Sequence, residues 1–502
     1  MALFKKTIVA ATALACGLAS APVAAQDFVP VGPRALGMGG AGVAAVTDTT
    51  AQYYNPAAFG FFNLRDEQGQ RFDCDNNDCG RKFWGIDLDA GLGYRLHNEF
   101  GKYLDPLANM DIDRLSTGVQ SQSDLQDLVE IVGGLSGLDD PGNAITADLN
   151  AGLGARIGRF GMGVRTYVQG TGRVVEIDSE NFGINGNLGA DISALPEITG
   201  NDGATLLFTA EQQAQLAAAN FDQTAIQRVD FLARQQGIRP DQAQQSVDLL
   251  VAAANEPGGD AATALKNNRT TVALDGFGLM EIPLSYGHAL NENWSLGASL
   301  KFMLGRVYGT QIFVFDDNTD EVIRQMDDDY NQSANFGIDL GLLGRYKYVN
   351  FGLVGRNLNA PKFDGFTKTT TLSNGQTVTT TVSDTRLDPQ VRAGVAFIPF
   401  TTLTLAADLD LTENGTTFSS YKTRYASFGL EWDAFRVLAL RAGAYKNLAN
   451  SDIDWVYTAG LGLNLWALRL DLAGAVATEK EEFDGDDIPR EARLAAMLSI
   501  DF

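Results

Sequence analysis

The sequence predicts an all-β protein, a 14-stranded antiparallel transmembrane β-barrel with an N-terminal hatch and helical extracellular loops. Two observations predict this fold class. Apolar and polar residues alternate with a period of two in fourteen segments, and the connections between the segments are mostly alternately short and long. A third observation, an N-terminal export signal, indicates that the chain leaves the cytoplasm.

The chain begins with a segment typical of a secretory signal peptide. The basic start MALFKK precedes a short apolar stretch, and Val-Ala-Ala stands before Gln26. We therefore expect a signal peptide over residues 1–25, with cleavage after Ala25. The apolar stretch is too short for a convincing spanning helix. Cleavage before Cys16, as in a lipoprotein, is the alternative, but it would leave a very short apolar region.

The composition excludes some classes of protein and predicts one covalent link. The formal net charge is −24, from 38 Lys and Arg against 62 Asp and Glu, which is the opposite of a nucleic-acid-binding surface. Cys74 and Cys79 remain after the signal, in the stretch CDNNDC, and in an oxidising compartment they predict a local disulfide. Neither a second Cys or His pair nor a complete calcium loop accompanies them, so we predict no metal site, although residues 73–78 leave cation binding open.

The strands are predicted from alternation that continues for many residues. In the C-terminal segment, Leu494 and Leu498 alternate with Arg493 and Ser499, so that one face is apolar. The even number of such segments is what closure of a bacterial barrel requires. The predicted strands are 85–97, 147–159, 160–178, 269–289, 293–315, 331–347, 348–358, 389–399, 402–412, 421–433, 435–447, 453–466, 467–478 and 490–502.

The connections predict the orientation of the barrel. Tight turns are predicted near residues 159, 291, 348, 400, 434 and 466, whereas most alternate connections are long: 98–146, 179–268, 316–330, 359–388, 413–420 and 479–489, with only 448–452 brief. Outer-membrane barrels keep short turns in the periplasm and long loops outside. We therefore expect both termini to be periplasmic.

The long loops contain predicted structure of their own. Residues 205–256 are rich in Ala, Gln and Leu at helical spacing, which predicts a helical extracellular-loop insertion, and Ser123–Val132 predicts a short helix capped by Ser121 or Ser123. An Asn-Gly turn within 369–381 predicts a hairpin. Helices in such loops usually fold over the mouth of a barrel. Three roles stay open for them: a lid, an apolar catchment or a shield for a strand edge.

Residues 26–84, before the barrel domain at 85–502, are predicted to form an N-terminal hatch. A barrel of fourteen strands is wide enough to need filling. Gly37, Gly39 and Gly40 allow the backbone to lie close to the lumen wall, and Asn55-Pro56 is a helix start with Asn as the cap and Pro in the first turn.

The stretch RALGMGGA at 34–41, followed by Asn-Pro-Ala at 55–57, resembles the hatch of the FadL-like superfamily of outer-membrane transporters for hydrophobic compounds. The similarity is greatest to its conjugal-transfer, TraF-like branch. The resemblance implies a hatch whose movement opens a path, with ligands passing from outer-loop helices into the lumen and leaving laterally through a break in the wall. The hatch residues it implies are Arg34, Gly37, Gly39, Gly40, Asn55, Pro56 and Ala57.

The predicted inward positions depart from a continuous apolar tunnel because many are charged, with both signs mixed. Such residues suit ion-pair networks that hold the hatch and one another, and they argue against a fatty acid as the substrate. The largest helical insertion also lies between the third and fourth strands, earlier than the resemblance implies. The predicted lumen-facing polar residues are Asp87, Asp89, Arg95, Arg156, Arg165, Lys301, Asp339, Arg345, Arg356, Arg392, Asp408, Glu431, Arg441 and Arg469.

Two functional hypotheses follow. The first is a plugged outer-membrane channel for passive uptake of small hydrophobic or amphipathic compounds, without a cofactor. The second is a non-transport component of a conjugation or secretion system that acts as a docking platform for an envelope protein. An open porin is a third option, against which the hatch argues. Only His97 and His288 are present, without a Gly-x-Ser-x-Gly motif, so no enzyme is predicted. The expected surroundings are outer-membrane lipid and lipopolysaccharide.

Overall fold

The fourteen predicted strands form one closed antiparallel barrel in sequence order. The computed structural model describes residues 27–62, 83–108, 118–181, 183, 187–196, 205–256, 264, 267–313, 329–371, 375, 377–434, 437–465, 467–483 and 486–501. The predicted signal peptide, Cys74, Cys79 and the acidic residues at 73–78 lie outside these ranges. We label the barrel strands β1 (Trp84–His97), β2 (Ala144–Ile157), β3 (Phe160–Glu176), β4 (Thr271–Ala289), β5 (Trp294–Phe313), β6 (Tyr330–Arg345), β7 (Val349–Arg356), β8 (Gln390–Phe400), β9 (Leu403–Asp410), β10 (Tyr425–Ala434), β11 (Leu438–Asn447), β12 (Trp455–Leu465), β13 (Leu468–Ala477) and β14 (Glu491–Asp501).

The alternation of the sequence becomes the two faces of the wall. Where β1 closes on β14, Leu88 lies opposite Leu498 and Asp87 opposite Ser499, so like faces align across the seam. Leu88 is 59% exposed and Asp87 is 1% exposed. The outward face is an apolar belt and the inward face is polar or small, as expected for strands between lipid and a filled lumen.

The two ends of the barrel differ as predicted. Six connections, after β2, β4, β6, β8, β10 and β12, are short, and we call their side the turn end. At the opposite side, the loop end, the chain makes its long excursions. The predicted Thr-rich hairpin is present there as Phe366–Thr371 paired with Thr377–Val382, and two shorter pairs are Lys362–Phe363 with Thr385–Arg386 and Lys480–Phe483 with Asp486–Pro489.

Helices occupy the N-terminal segment and two loops of the loop end. The N-terminal segment contains α1 (Pro33–Gly37), α2 (Ala51–Tyr54) and the 3-10 helix Pro56–Phe61. The β1–β2 loop contains α3 (Phe100–Ala108) and α4 (Gln122–Leu138), and the β3–β4 loop contains α5 (Leu188–Ala194), α6 (Ala210–Ala218), α7 (Gln223–Gln235) and α8 (Ala243–Asn255). Ser121 caps α4 in a capping box with Asp124, one of the two predicted caps. Among the described residues, no helix is both long and apolar enough to cross a bilayer.

The helices α3–α8 form a helical subdomain with its own apolar core, and its position differs from the expectation that such helices fold over the mouth. The core continues onto Leu96, Leu274, Tyr308 and Ile312 at the loop end of β1, β4 and β5. These residues share the outward register of the exposed belt, because Leu96 lies four residues from Leu92 on the same face. The subdomain therefore packs on the outer surface of the rim.

Candidate functional site

The N-terminal segment 27–62 lies inside the barrel, and we call these residues the hatch. Its aromatic residues Phe28, Tyr54 and Phe59 are at most 1% exposed. The hatch contacts inward positions around most of the wall, from the carbonyl of Met162 on β3 to the side chain of Met497 on β14. A segment in contact with opposite walls at once occupies the lumen between them.

Arg34 joins the hatch to a chain of ion pairs on the wall. Its guanidinium lies 2.6 Å from a carboxylate oxygen of Glu431 on β10. Glu431 also pairs with Arg441 at 2.6 Å, Arg441 with Asp471 at 2.8 Å, and Asp471 with Arg469 at 2.7 Å. Burial alone would lower the pKa of Arg34, but the Glu431 carboxylate raises it above its usual range, so the guanidinium is charged. Arg34 also donates to the carbonyl of Ala45 at 2.8 Å and therefore holds α1 and the following turn together.

The glycines of RALGMGGA lie directly against the wall. The amide of Gly39 donates to the hydroxyl of Thr458 at 3.0 Å, and this hydroxyl donates to the carbonyl of Gly37 at 3.1 Å. Gly39 has φ +66°, and a Cβ built on it would lie 2.5 Å from the carbonyl oxygens of Phe428 and Ala444. Only glycine satisfies both conditions. Asp408 accepts the amides of Gly42 and Val43, at 2.8 and 2.9 Å.

Asn55-Pro56-Ala57 binds the opposite wall. The fully buried Asn55 accepts the amide of Ala57 at 3.1 Å as the cap of the 3-10 helix, as predicted from Asn-Pro. Its amide group donates to the carbonyl of Leu342 on β6 at 3.0 Å and to that of Val43 at 3.1 Å. The hydroxyl of Ser295 on β5 donates to the carbonyl of Ala57 at 2.7 Å. One side chain thus joins both halves of the hatch to the wall.

Sequence reasoning missed the glycines of the wall that receive the hatch. On nine strands an inward glycine is so close to the hatch that a built Cβ would lie 3.2 Å or less from a hatch atom, and we call this set the glycine seat. Its members are Gly161, Gly287, Gly297, Gly341, Gly352, Gly394, Gly429, Gly443 and Gly460. The available signal was glycine at the inward phase of a strand, which often marks close approach of another backbone.

One part of the wall next to the hatch lacks regular pairing. The β3–β4 ladder runs to Met162↔Leu284 and resumes at Arg165↔Glu281. The register places Pro283 opposite Gly163, and proline has no amide to donate to a ladder. The hatch lies beside this site, because the side-chain amide of Gln52 on α2 donates to the carbonyl of the neighbouring Met162 at 3.1 Å.

The predicted lumen-facing residues do face the interior. Thirteen of the fourteen are buried, and Arg469 is about one-quarter exposed. Beyond the chain of pairs at Arg34, two networks collect many of them. Lys301 pairs with Asp339 at 3.0 Å and with Glu281 at 3.2 Å, and the Arg356 guanidinium lies 3.9 Å from the ring centre of Tyr53 in the hatch.

The second network surrounds the start of the hatch. Arg95 pairs with Glu491 at 3.0 Å, Glu491 with Arg493 at 2.8 Å and Arg493 with Asp148 at 2.9 Å. Arg95 also lies 3.9 Å from Asp27, whose pKa is raised by burial. The remaining predicted residues have fewer partners. Arg165 pairs with Asp89, Arg156 with Asp501 and Arg392 with Asp410, and Arg345 donates to the carbonyl of Val46. Asp87 is a buried carboxylate without a hydrogen-bond donor among the described residues. Glu281 and Glu491 were not among the predicted residues.

The lumen also has an apolar side, along β3 to β7. Phe277 and Leu279 of β4 and Met303 and Val307 of β5 pack in one cluster with the hatch aromatics. Burial raises the pKa of Tyr53 in this cluster to about 12, so its hydroxyl is neutral at pH 7. Charged and apolar surfaces therefore both line the interior, and the network of Lys301 with Glu281 and Asp339 lies on the same strands as the apolar side.

The lumen is closed in this state. Residues 411–424 cross the loop end to the opposite wall, where the hydroxyl of Thr417 lies 2.9 Å from that of Thr171 and its amide donates to Gln169 at 3.1 Å. A cavity beside Phe277 and Tyr167 measures about 10 Å³, no more than a single water fills. His97 is buried beneath this loop, against the rings of Phe418 and Tyr421. Within the described ranges, no group of three or more His, Cys, Asp or Glu side chains is arranged to hold a metal ion.

Comparison with known proteins assigns a family. The sequence model of the family described as "F plasmid transfer operon, TraF, protein" matches residues 52–410. The chain belongs to this family. The resemblance to TraF-like proteins is thereby confirmed, and the closed barrel with its apolar outer belt places this TraF-family chain in the outer membrane. No curated protein matches its sequence.

Solved structures similar to this TraF-family chain are distant. The toluene transporter TodX of P. putida covers 95% of this chain over 99% of its own, with 11% identity and a TM-score of 0.45. The toluene transporter TbuX of Ralstonia pickettii has the same coverage, identity and score. A FadL homologue of Pseudomonas aeruginosa covers 94% of this chain over 99% of its own, with 11% identity and a TM-score of 0.44.

Proposed function

We propose that the protein is a plugged outer-membrane channel for passive uptake of small hydrophobic compounds. The observation that carries the proposal is the apolar side of the lumen, which reaches the hatch beside the interrupted β3–β4 ladder. In this proposal the signal peptide is removed, the turn end and both termini are periplasmic, and Cys74 pairs with Cys79.

The apolar side supplies the path. An uncharged compound gains free energy wherever it replaces water against Phe277, Leu279, Met303 and Val307. The charged networks serve another purpose, because they fix the hatch to the wall. The apolar surface is therefore compatible with apolar cargo although many inward positions are charged.

The interrupted ladder supplies the exit. A wall in lipid must satisfy its backbone groups, and a ladder interruption is tolerated where protein groups replace the missing bonds. Gln52 of the hatch donates to the neighbouring carbonyl of Met162, so the hatch is bound to the wall beside the interruption. A movement of α2 breaks that bond and frees the wall at this interruption, so the hatch and the exit act together.

The test restores the missing donor. Pro283→Val adds a backbone amide opposite Gly163 with little change of volume, and we expect it to strengthen the ladder and to slow uptake of labelled toluene by cells at least fivefold. Toluene is the probe because TodX and TbuX are described as toluene transporters. The matched control is Pro399→Val, near the turn end of β8, which should leave uptake unchanged.

Two results would contradict the proposal. Equal uptake of toluene by cells with and without the protein would contradict the proposed transport function. If uptake depends on the protein but is the same in Pro283→Val as in the wild type, the exit does not lie at the β3–β4 ladder, and the transport function still stands. Heat-modifiable migration on gels, which reports the folded barrel, is checked for each variant.

The second candidate is the docking platform of an envelope system, which the family description favours. The helical subdomain, with its own core on the outer rim, is the part that such a partner would bind. Crosslinking in cells from exposed positions of α7 should then trap one defined protein. If crosslinking traps no protein and toluene uptake depends on this protein, the channel function is favoured over the docking platform.

A further inference from the structure

Phe363 of the β7–β8 loop fills part of the lumen as a ligand would. Its side chain is fully buried, whereas the neighbouring Lys362 is exposed. The ring lies on the backbone of β5, since a Cβ built on Gly305 would be 2.2 Å from its Cδ1 atom. Its centre lies 5.2 Å from that of the Phe277 ring at 50°, a usual geometry for an aromatic pair.

We propose that the pocket filled by this ring is a binding site for a compound with a single uncharged aromatic ring. The proposal rests on the proposed function and names the class of compound carried. The walls are apolar: Phe277 on one side, the backbone at Gly305 below, and Met303 and Val307 in the same cluster. An apolar cavity of this kind stays dry when empty and binds benzene-like molecules.

The segment that carries Phe363 is attached in a way that permits withdrawal. β7 pairs with β6 only over Leu340–Arg345, so among the described residues the loop-end half of β6 has no strand partner on that side. Side chains replace the ladder there: Asn335 donates to the carbonyl of Lys362 at 2.9 Å, Asn331 donates to that of Gly365 at 2.9 Å, and Ser333 accepts the amide of Asp364 at 3.1 Å.

These bonds are solvent-exposed, which is the condition for low-cost local opening. Withdrawal exposes the apolar pocket to water, which disfavours the open state in the absence of ligand. A ring-shaped compound replaces the Phe363 contacts and removes that penalty. The ligand therefore shifts the population of the loop towards the withdrawn state. The size of the shift is set by the difference between the ligand's affinities for the withdrawn and the closed states.

The test measures hydrogen exchange of the full-length protein in detergent, with and without toluene. In the wild type, saturating toluene should speed exchange of amides in 362–365 and 385–387 at least fivefold, while α7 serves as the internal reference. Phe363→Ala should bind toluene about tenfold more tightly if the withdrawn state is populated at about 10% in the wild type. Gly305→Val fills the pocket and should abolish the response, whereas Gly474→Val, on the lipid face, should retain it.

The outcomes separate this inference from the proposed function. If toluene leaves exchange of the β7–β8 loop unchanged while uptake still requires the protein, the pocket assignment is wrong and the channel stands. If exchange responds in the wild type and not in Gly305→Val while uptake is absent, the site stands and the channel is wrong. A response that persists in Gly305→Val overturns the site.

Discussion

Replacement of Gly297 by alanine tests whether the glycine seat holds the hatch. The inward Cβ would lie 2.1 Å from the amide nitrogen of Ala57 and 2.2 Å from the carbonyl carbon of Pro56. These are backbone atoms, which cannot rotate away as a side chain does. Ordinary contact begins at about 3.4 Å, so the hatch must move by about 1.3 Å.

A shift of this size breaks the hydrogen bonds of the site. The bonds at risk join Ser295 to Ala57 and Asn55 to Leu342, at 2.7 and 3.0 Å. At about 1 kcal/mol each, their loss lowers the free energy of hatch opening by about 2 kcal/mol. Exchange of amides in 51–62 then speeds about thirtyfold, since about 1.4 kcal/mol corresponds to a factor of ten.

The assay is hydrogen exchange of the purified protein, with gel migration as the check that the barrel is folded. The control is Gly474→Ala, where the nearest atom to the new Cβ is a side-chain carbon of Leu494 at 3.4 Å. The control should exchange as the wild type does. Unchanged exchange of 51–62 in Gly297→Ala would refute the reasoning that the wall glycines position the hatch.

Two further predictions concern the ion pairs and the helical subdomain. Glu431→Gln leaves Arg34 and Arg441 without their shared carboxylate and should destabilise the hatch by about 3 kcal/mol, which hydrogen exchange detects as faster exchange of the amides in 33–46. The control Glu413→Gln, in the exposed pair with Lys422, should leave this exchange unchanged. Equal exchange rates in the two variants would contradict the prediction. Leu232→Ala, in the core of the helical subdomain, should lower the free energy of unfolding of the subdomain by about 3 kcal/mol, measured by hydrogen exchange of α7. Toluene uptake should stay intact because the subdomain lies outside the mouth. Loss of uptake would instead support a role of the subdomain as an apolar catchment.

The barrel was predictable because its cause is local. Lipid on one side and a filled lumen on the other impose a period of two on each strand, and Leu494 and Arg493 report that rule without knowledge of any partner. The helix cap at Ser121 and the Asn-Pro start of the 3-10 helix were predictable for the same reason, since a side chain there bonds to its own backbone neighbours.

What the sequence by itself determined is therefore the strands, their inward and outward faces and a small-sided segment before them. Tertiary structure decided which groups meet across the lumen: Arg34 with Glu431, Gln52 with Met162, and Gly297 with Ala57. It also decided that Phe363 enters the lumen and that the helices pack outside the rim. These contacts join residues far apart in the chain, and their existence depends on barrel closure and strand register, which no local pattern of side chains records.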